Sequence, residues 1–573
     1  MNEQDQELTA QLEERADYIP LDRLEQETVV TDFYETVHRK LIHTGTKLLS
    51  GPRGCGKTHL MRYTYLRCQK QSTLPFAVYA SFNRYYRLEP LLQRKPSAVA
   101  TFHTWVLAVI LRALAESVRD FDIPSRETTF EQVVGMSADE LRNIISKIER
   151  GQQLEEFEAA DARQISIPFV QDALRYFTEK AGRTRVILLL DDAALTLTRE
   201  YLHDFFDLVR SIKTSSITPK ASVYPGTTEY GPNFHAAQEA ETVNVWLSPD
   251  DQSYASTMQQ IAQLRISGFS SIPVDVAKYL MYAAFGVPRA FLMLLRGFQQ
   301  SSGGTTQAIV NRLIQEHATA RVSEYSSLRL KMPKLASIIE AGGTIFSRLV
   351  SALKDFNDNV DANGGKMTMV VGVQGTEDNA PVERIFSLLI EAGLLHELPS
   401  VSHGEGRIYR RFIINLAVLL NDRVFSTKTR GTSFKAIVEV IESDQTSKHP
   451  VRRSVSTLVG KELQDKLHPD LPACTRCHTE RLSTNQKFCH NCGAELVDVS
   501  AFDECMKIRV AEVPGLTGWT KERLEEIERF NTIGDFLAEQ NPVSKLRQIR
   551  GVGKQRANRI IQLITGYVDE YLS

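Results

Sequence analysis

Gly51-Pro-Arg-Gly-Cys-Gly-Lys-Thr58 decides the fold. The string fills the phosphate-loop pattern G-x-x-x-x-G-K-[ST] at every fixed position. Its glycines let the backbone curl until several N–H groups face one anion. Lys57 then lies near the β- and γ-phosphates of a nucleotide, and Thr58 offers its hydroxyl to Mg²⁺. The flanks agree. Thr46–Ser50 suits a short strand, and His59–Cys68 has helical spacing. A phosphate held here lies at a helix N-terminus, where the macrodipole favours negative charge. The candidate ATP-binding residues are therefore Gly51, Pro52, Arg53, Gly54, Cys55, Gly56, Lys57, Thr58 and His59.

The chain has 573 residues, long enough for roughly three or four domains. Hydrophobic residues make up 42% and charged residues 24%, as in soluble globular proteins. A net charge of −2 excludes a globally basic nucleic-acid binder but leaves room for a local basic patch. Residues 1–16 are polar and acidic, without the apolar core of a signal peptide. The longest apolar stretch, Trp105 to Leu111, is well short of the ~20 residues of a membrane span. The expectation is a cytoplasmic protein without membrane contact. Four of the seven cysteines cluster in pairs, which points to a metal site rather than a disulfide framework.

Further strands are expected at Phe76–Ser81 and near Lys220–Tyr224. Arg185-Val-Ile-Leu-Leu-Leu-Asp-Asp192 is a continuous apolar run ending in two acids, typical of a parallel strand buried on both faces. Residues 100–118 read as a buried helix, and 124–163 as a charged helical insertion on the surface. Strands alternating with helices imply a parallel, three-layer α/β core.

The strand ending at Asp191 and Asp192 is expected beside the phosphate-loop strand. Asp191 then holds Mg²⁺ through water, and Asp192 orients or deprotonates the attacking water. Downstream, Gly286-Val-Pro-Arg289 opens a helix with proline in its first turn. Arg289 can bind γ-phosphate oxygens bidentately.

Together these pieces resemble the AAA+ family, and within it the origin-recognition-like initiator ATPases. The resemblance rests on Gly51–Thr58 (Walker A), Leu188–Asp192 (Walker B) and Gly286–Arg289 (the sensor-2 signature G-x-P-R). It covers about residues 15–325. It implies ATP hydrolysis, a moving helical lid, and a polar sensor-1 residue at Thr227 or Thr228. Two departures stand out. The family usually ends its Walker B strand in Asp-Glu, whereas this chain has Asp191-Asp192. The shorter acid withdraws the carboxylate by roughly 1 Å, a misplacement that can cost about 10²-fold in rate. No Lys or Arg occurs between Lys220 and Arg265, where the family usually carries its arginine finger. Hydrolysis is therefore expected to be slow or partner-activated.

Pro381–Leu395 reads as an amphipathic helix, followed by a hairpin turning at His403–Gly406. Helix plus hairpin has the shape of a winged helix, which the resembling family places here to hold DNA. Arg407, Arg410 and Arg411 on the wing are the candidate phosphate contacts.

Cys474-Thr-Arg-Cys477 and Cys489-His-Asn-Cys492 are two C-x-x-C pairs with 11 residues between them. Each turn presents two thiolates, and two turns complete a tetrahedral Zn²⁺ site. Such a closed Cys₄ site is structural, and the module resembles a zinc ribbon.

Ile549-Arg-Gly-Val-Gly-Lys-Gln-Arg-Ala557 resembles a helix-hairpin-helix motif, with a degenerate copy from Glu512. Gly551 and Gly553 permit a tight turn whose N–H groups face a DNA phosphate, and Arg550, Lys554 and Arg556 add charge. Between Asn541 and Val568 there are six basic residues and no acidic one.

The expected fold is thus an α/β AAA+ core (15–248) with a helical lid (249–328) and a winged-helix-like domain (329–428). A linker (429–470), a zinc ribbon (471–498) and tandem helix-hairpin-helix motifs (505–573) follow. The expected function is an ATP-dependent, DNA-binding ATPase using ATP, Mg²⁺ and Zn²⁺, with catalytic residues Lys57, Asp191, Asp192, Arg289 and Thr227. Double-stranded DNA, a nuclease- or transposase-like effector and a possible oligomer are the expected partners, in mobile-element or anti-foreign-DNA defence. The alternatives are an ATP-gated protein-interaction switch with little hydrolysis and a replication-initiator-like protein.

Overall fold

The computed structural model describes residues 16, 19–83, 88, 98–123, 129–192, 199–363, 365–404, 407–425, 433–444, 450–464 and 466–468. Towards the C-terminus it describes 473–474, 476–482, 486, 488–494, 496, 505–525, 530–539, 542–549 and 551–572.

The phosphate loop joins β1 (Thr46–Ser50) to α1 (Lys57–Lys70), as its flanks imply. Next come β2 (Phe76–Ser81) and α2 (Ala98–Asp120). β3 (Val186–Asp191), β4 (Ile217–Val223) and β5 (Ala240–Asn244) complete a five-stranded sheet in which every pairing is parallel. The α/β class is as expected. The strand order is not: it runs β2-β3-β4-β1-β5. β4 stands between β1 and β3, so the acidic strand is not the neighbour of the phosphate-loop strand.

Both faces of the sheet are covered, which explains the unbroken apolar run of β3. Ile187 and Leu189 pack on one face with Leu49, Ala77 and Met61. Val186, Leu188 and Leu190 pack on the other with Leu48, Val78, Phe102 and Phe205. The alternation follows from the two-residue period of a strand. Each such fully buried side chain contributes about 1.5–3 kcal/mol of transfer free energy.

α2 buries Trp105 through Leu111 without a break. The expected surface insertion covers part of it. Leu141, Ile144, Ile145 and Ile148 of the helix Ala138–Glu149 are buried in the same core. Most of the segment's described charged residues face outward, but Glu149 and Glu158 are buried. α2 and the helical stretch Pro333–Ala362 are long and apolar enough to cross a membrane, contrary to the expectation from the apolar runs. Both bury half or more of their most apolar window inside the protein.

The stretch expected as a lid is helical and includes α3 (Pro288–Gln300), with Pro288 in its first turn. α4 (Ala336–Ala362) leads to β6 (Val370–Gln374) and α5 (Ala380–Glu391), whose N-cap Asn379 accepts from Val382 N. The hairpin β7 (Leu395–Ser402) and β8 (Ile408–Ile414) follows, as expected. Glu405 and Gly406 of its turn lie outside the described residues. A single helix separates β6 from β7.

Much of the expected linker is folded. α6 (Phe434–Asp444) buries Ile437, Val438 and Ile441. β9 (Val451–Ser454) pairs parallel to β6, giving a four-stranded sheet in the order β7-β8-β6-β9. α7 (Val455–Gln464) then buries Leu458, Val459 and Leu463. The rest of the stretch lies largely outside the described residues. At the C-terminus a separate small core gathers Val510, Val513, Phe530, Val552 and Ile564, the last on α8 (Lys554–Leu572).

Candidate functional site

In an open parallel sheet, ligands bind beyond the carboxyl ends of the strands. β1 ends at Ser50 beside Val223 of β4, and β3 ends at Asp191 beside Ser81 of β2. The phosphate loop, the acidic pair and the turn after β4 therefore emerge along one edge.

Gly54 and Gly56 have φ of +79° and +99°, the left-handed region that glycine enters without a side-chain penalty. Lys57 is buried and donates from Nζ to Gly51 O at 2.5 Å and Pro52 O at 3.2 Å. The Nζ also lies 4.1 Å from the centre of the Tyr224 ring. Burial lowers the Lys57 pKa, opposed by acidic groups that include Asp191, Asp192 and Glu391. Thr58 follows Lys57 in the first turn of α1 and is half-buried. His59 Nε2 lies 2.8 Å from Thr28 Oγ1. Its pKa falls to about 4, first through burial and then through Arg265, so the ring is neutral.

Asp191 is buried. Its Oδ2 accepts from the Tyr79 hydroxyl at 2.8 Å, and its Oδ1 accepts from Asp192 N at 3.0 Å. Each carboxylate oxygen keeps a further lone pair, so the group fits a Mg²⁺ ligand acting through water. Asp192 sits at φ +53°, a conformation aspartate tolerates better than most residues. It directly follows Asp191, the last residue of β3.

Arg289 lies over the phosphate loop. A Cβ built on Gly54 would stand 3.3 Å from Arg289 Cβ and 3.0 Å from Val287 Cγ1. Helix α3 thus starts against the loop.

Thr227 and Thr228 divide their tasks. Thr228 Oγ1 accepts from Tyr224 N at 2.9 Å and closes the turn after β4. Thr227 Oγ1 donates to Glu391 Oε1 at 2.9 Å. Glu391 Oε2 accepts from Gly226 N at 2.8 Å and Thr227 N at 2.7 Å. Glu391, Tyr79 and Tyr224 were not singled out from sequence. Tyr79 stands two residues before the end of a strand paired to β3, a position that could have suggested it. Glu391 lies 164 residues from its partner, and no local pattern marks it.

The three arginines of the hairpin part company. Arg407 is exposed, and Arg411 Nε donates to Pro399 O at 2.7 Å. Arg410 is buried between Glu383 and Glu397, with Nε 2.8 Å from Glu397 Oε1. It shares the inward face of β8 with Phe412, which stacks on Phe386 of α5. It is therefore not on the outer surface of the hairpin, contrary to the expectation of a DNA-contacting wing residue.

The four sulfur atoms of Cys474, Cys477, Cys489 and Cys492 lie within 4.8 Å of one another. Zn–S bonds of about 2.3 Å in a tetrahedron place sulfurs roughly 3.8 Å apart, so the set fits Zn²⁺. Two like knuckles hold it. His478 N donates to Cys474 O and Gly493 N to Cys489 O, with φ of +55° and +67° at the two donors.

In the C-terminal module, Gly551 has φ +94° and faces Trp519, 3.5 Å from its would-be Cβ. Gly553 and Lys554 are exposed. Arg556 donates to Gly551 O at 3.0 Å and lies over Trp519. Arg550 lies outside the described residues.

No family model and no curated protein matches this chain. Among solved structures, it is similar to a Walker-type ATPase of Pyrococcus abyssi, at 12% identity and a TM-score of 0.35, over 72% of this chain and 94% of that one. It is also similar to the ORC1 protein of Aeropyrum pernix, solved in complex with DNA. There the identity is 15% and the TM-score 0.30, over 69% of this chain and 92% of that one. Function therefore rests on the residues of the site.

Proposed function

We propose that this chain is an ATPase whose nucleotide state controls how its C-terminal modules grip double-stranded DNA. One observation carries the reading. The phosphate loop, the Asp191–Asp192 pair, Thr227 and Arg289 come from four elements and meet at one edge of a parallel sheet.

On this reading Lys57 exchanges the carbonyls of Gly51 and Pro52 for phosphate oxygens. Thr58 and Asp191 hold Mg²⁺, which when bound neutralises charge on the phosphates. Asp192 orients the attacking water, and Arg289 brings the lid onto the γ-phosphate. The exposed Gly553 and Lys554, with Gly551 and Arg556, offer DNA a phosphate-facing turn that reads backbone rather than base sequence. Arg407, Arg411 and Arg550 are proposed further contacts. The pairing of a Cys₄ module with hairpins favours a mobile-element or defence setting, with a nuclease- or transposase-like effector, over a housekeeping initiator.

A second reading is an ATP-gated protein-interaction switch with little hydrolysis. Asp192 in place of a glutamate favours it, as does the arginine-free stretch between Lys220 and Arg265.

DNA affinity of the whole chain and of a truncation at about residue 500, with and without ATP and across salt, separates the two. The DNA reading expects salt-sensitive binding that ATP alters and truncation weakens. No binding by either form at low salt would leave the switch.

A further inference from the structure

Glu391 takes three hydrogen bonds from one turn of the nucleotide domain: Gly226 N, Thr227 N and Thr227 Oγ1. We propose that Glu391 is a positioning residue of the nucleotide site, a carboxylate that holds Thr227 until a γ-phosphate displaces it. The proposal rests on the ATP reading above and names how that site is coupled to the C-terminal half.

The contact is built along one face of α5. Arg384, Leu388 and Glu391 follow the i, i+4, i+7 spacing of a helix face. Arg384 lies 3.4 Å from Glu229, which also meets Arg199. Leu388 packs so closely that a Cβ on Gly226 would stand 2.8 Å from its Cα. Just past the helix, Gly393 approaches Pro52 of the phosphate loop: a Cβ built on Gly393 would stand 3.9 Å from Pro52 Cβ. Helix and loop thus meet at the mouth of the site.

Two physical facts make the contact exclusive with ATP. The Thr227 hydroxyl has one proton to donate, so it cannot serve Glu391 and a γ-phosphate together. Charge acts in the same direction. The charges of Asp191, Asp192 and Glu391 already act on Lys57, and a triphosphate adds further negative charge. Asp191 and Asp192 belong to the sheet edge and cannot leave. Glu391 rides on a separate helix and can.

Displacing it has a defined consequence. α5 carries the hairpin through the Phe386–Phe412 stack and the Glu383–Arg410 ion pair. Release of α5 therefore loosens the hairpin on its α5 side, while His396 of β7 stays packed on Trp246, with ring centres 4.4 Å apart, as the remaining pivot. ATP is read by the loss of a hydrogen-bonded contact, not by the gain of one.

Hydrogen exchange on the whole chain tests this. Residues 224–229 and α5 should be protected without nucleotide and with ADP, and exposed with Mg²⁺ and a non-hydrolysable ATP analogue. Glu391→Gln should expose them in every state and tighten ATP binding by about tenfold, as release of a closed population does, with ADP affinity unchanged. Gly226→Ala, which pushes Leu388 away while keeping the Glu391 carboxylate and the N–H of residue 226, should behave alike. If residues 51–58 gain protection from the analogue while 224–229 stay as protected as before, the role of Glu391 is overturned. If 51–58 gain none, the nucleotide site itself fails, and this role with it.

Discussion

Tyr79 donates its hydroxyl to Asp191 Oδ2 at 2.8 Å, from the strand paired with β3. The bond fixes the carboxylate proposed to hold Mg²⁺ through water. Outer partners of this kind typically matter about 10- to 100-fold in metal affinity or activity. Tyr79→Phe should raise the Mg²⁺ concentration needed for half-maximal turnover by about tenfold, with the folded state intact. A Mg²⁺ titration of ATP hydrolysis checks it. An unchanged titration would place the metal away from Asp191.

Arg289, at the start of α3, lies against Gly54 of the phosphate loop. Its removal leaves the proposed γ-phosphate without a planar donor. Arg289→Ala should cut turnover by about 10²- to 10³-fold, and Arg289→Lys should restore little of it, because lysine lacks the fork. Single-turnover kinetics with both variants settles the point. Full activity in Arg289→Lys would make the residue a mere point charge.

Much of this site was legible because the phosphate loop, the acidic strand end and the G-x-P-R turn are local patterns. The strand order was not, since it depends on where crossover helices carry the chain. Residues 434–464 read as linker because β9 has only four residues and shows no clear alternation. The apolar trio Ile437, Val438 and Ile441 was the available clue. Arg410 and Arg411 are adjacent on a strand and must face opposite ways, so both could never lie on one DNA surface. Glu391 is one acid on an amphipathic helix, and only the tertiary structure shows its use.

The Cys₄ site should carry one zinc per chain, measured by metal analysis. Cys474→Ser should lose the metal and unfold that module, because structural zinc supplies folding free energy. ATP turnover in the absence of DNA should stay unchanged, since no residue of the nucleotide site comes from residues 473–496. Zinc-free protein with a folded module would refute the assignment.

Acid should weaken the nucleotide domain through two histidines. His38 is buried against Thr64, and burial, then Arg67, lowers its pKa to about 4. His59 is lowered to about 4 as well. Unfolded histidine titrates near 6.5, so the unfolded chain binds more protons between those values. The stability they contribute is present above pH of about 6.5 and is lost as pH falls through about 4. Denaturant midpoints at several pH values should decline across that window, and His38→Gln with His59→Gln should flatten the decline. An unchanged slope would mean that both are charged in the fold.

The central claim is a nucleotide site at Gly51–Thr58 working with Asp192. Its most direct test is ATP binding and hydrolysis by the whole chain, Lys57→Ala and Asp192→Asn, measured together. The expected result is binding and turnover by the unaltered chain, no binding by Lys57→Ala, and retained ATP without turnover in Asp192→Asn. Equal ATP affinity in the unaltered chain and Lys57→Ala would contradict it.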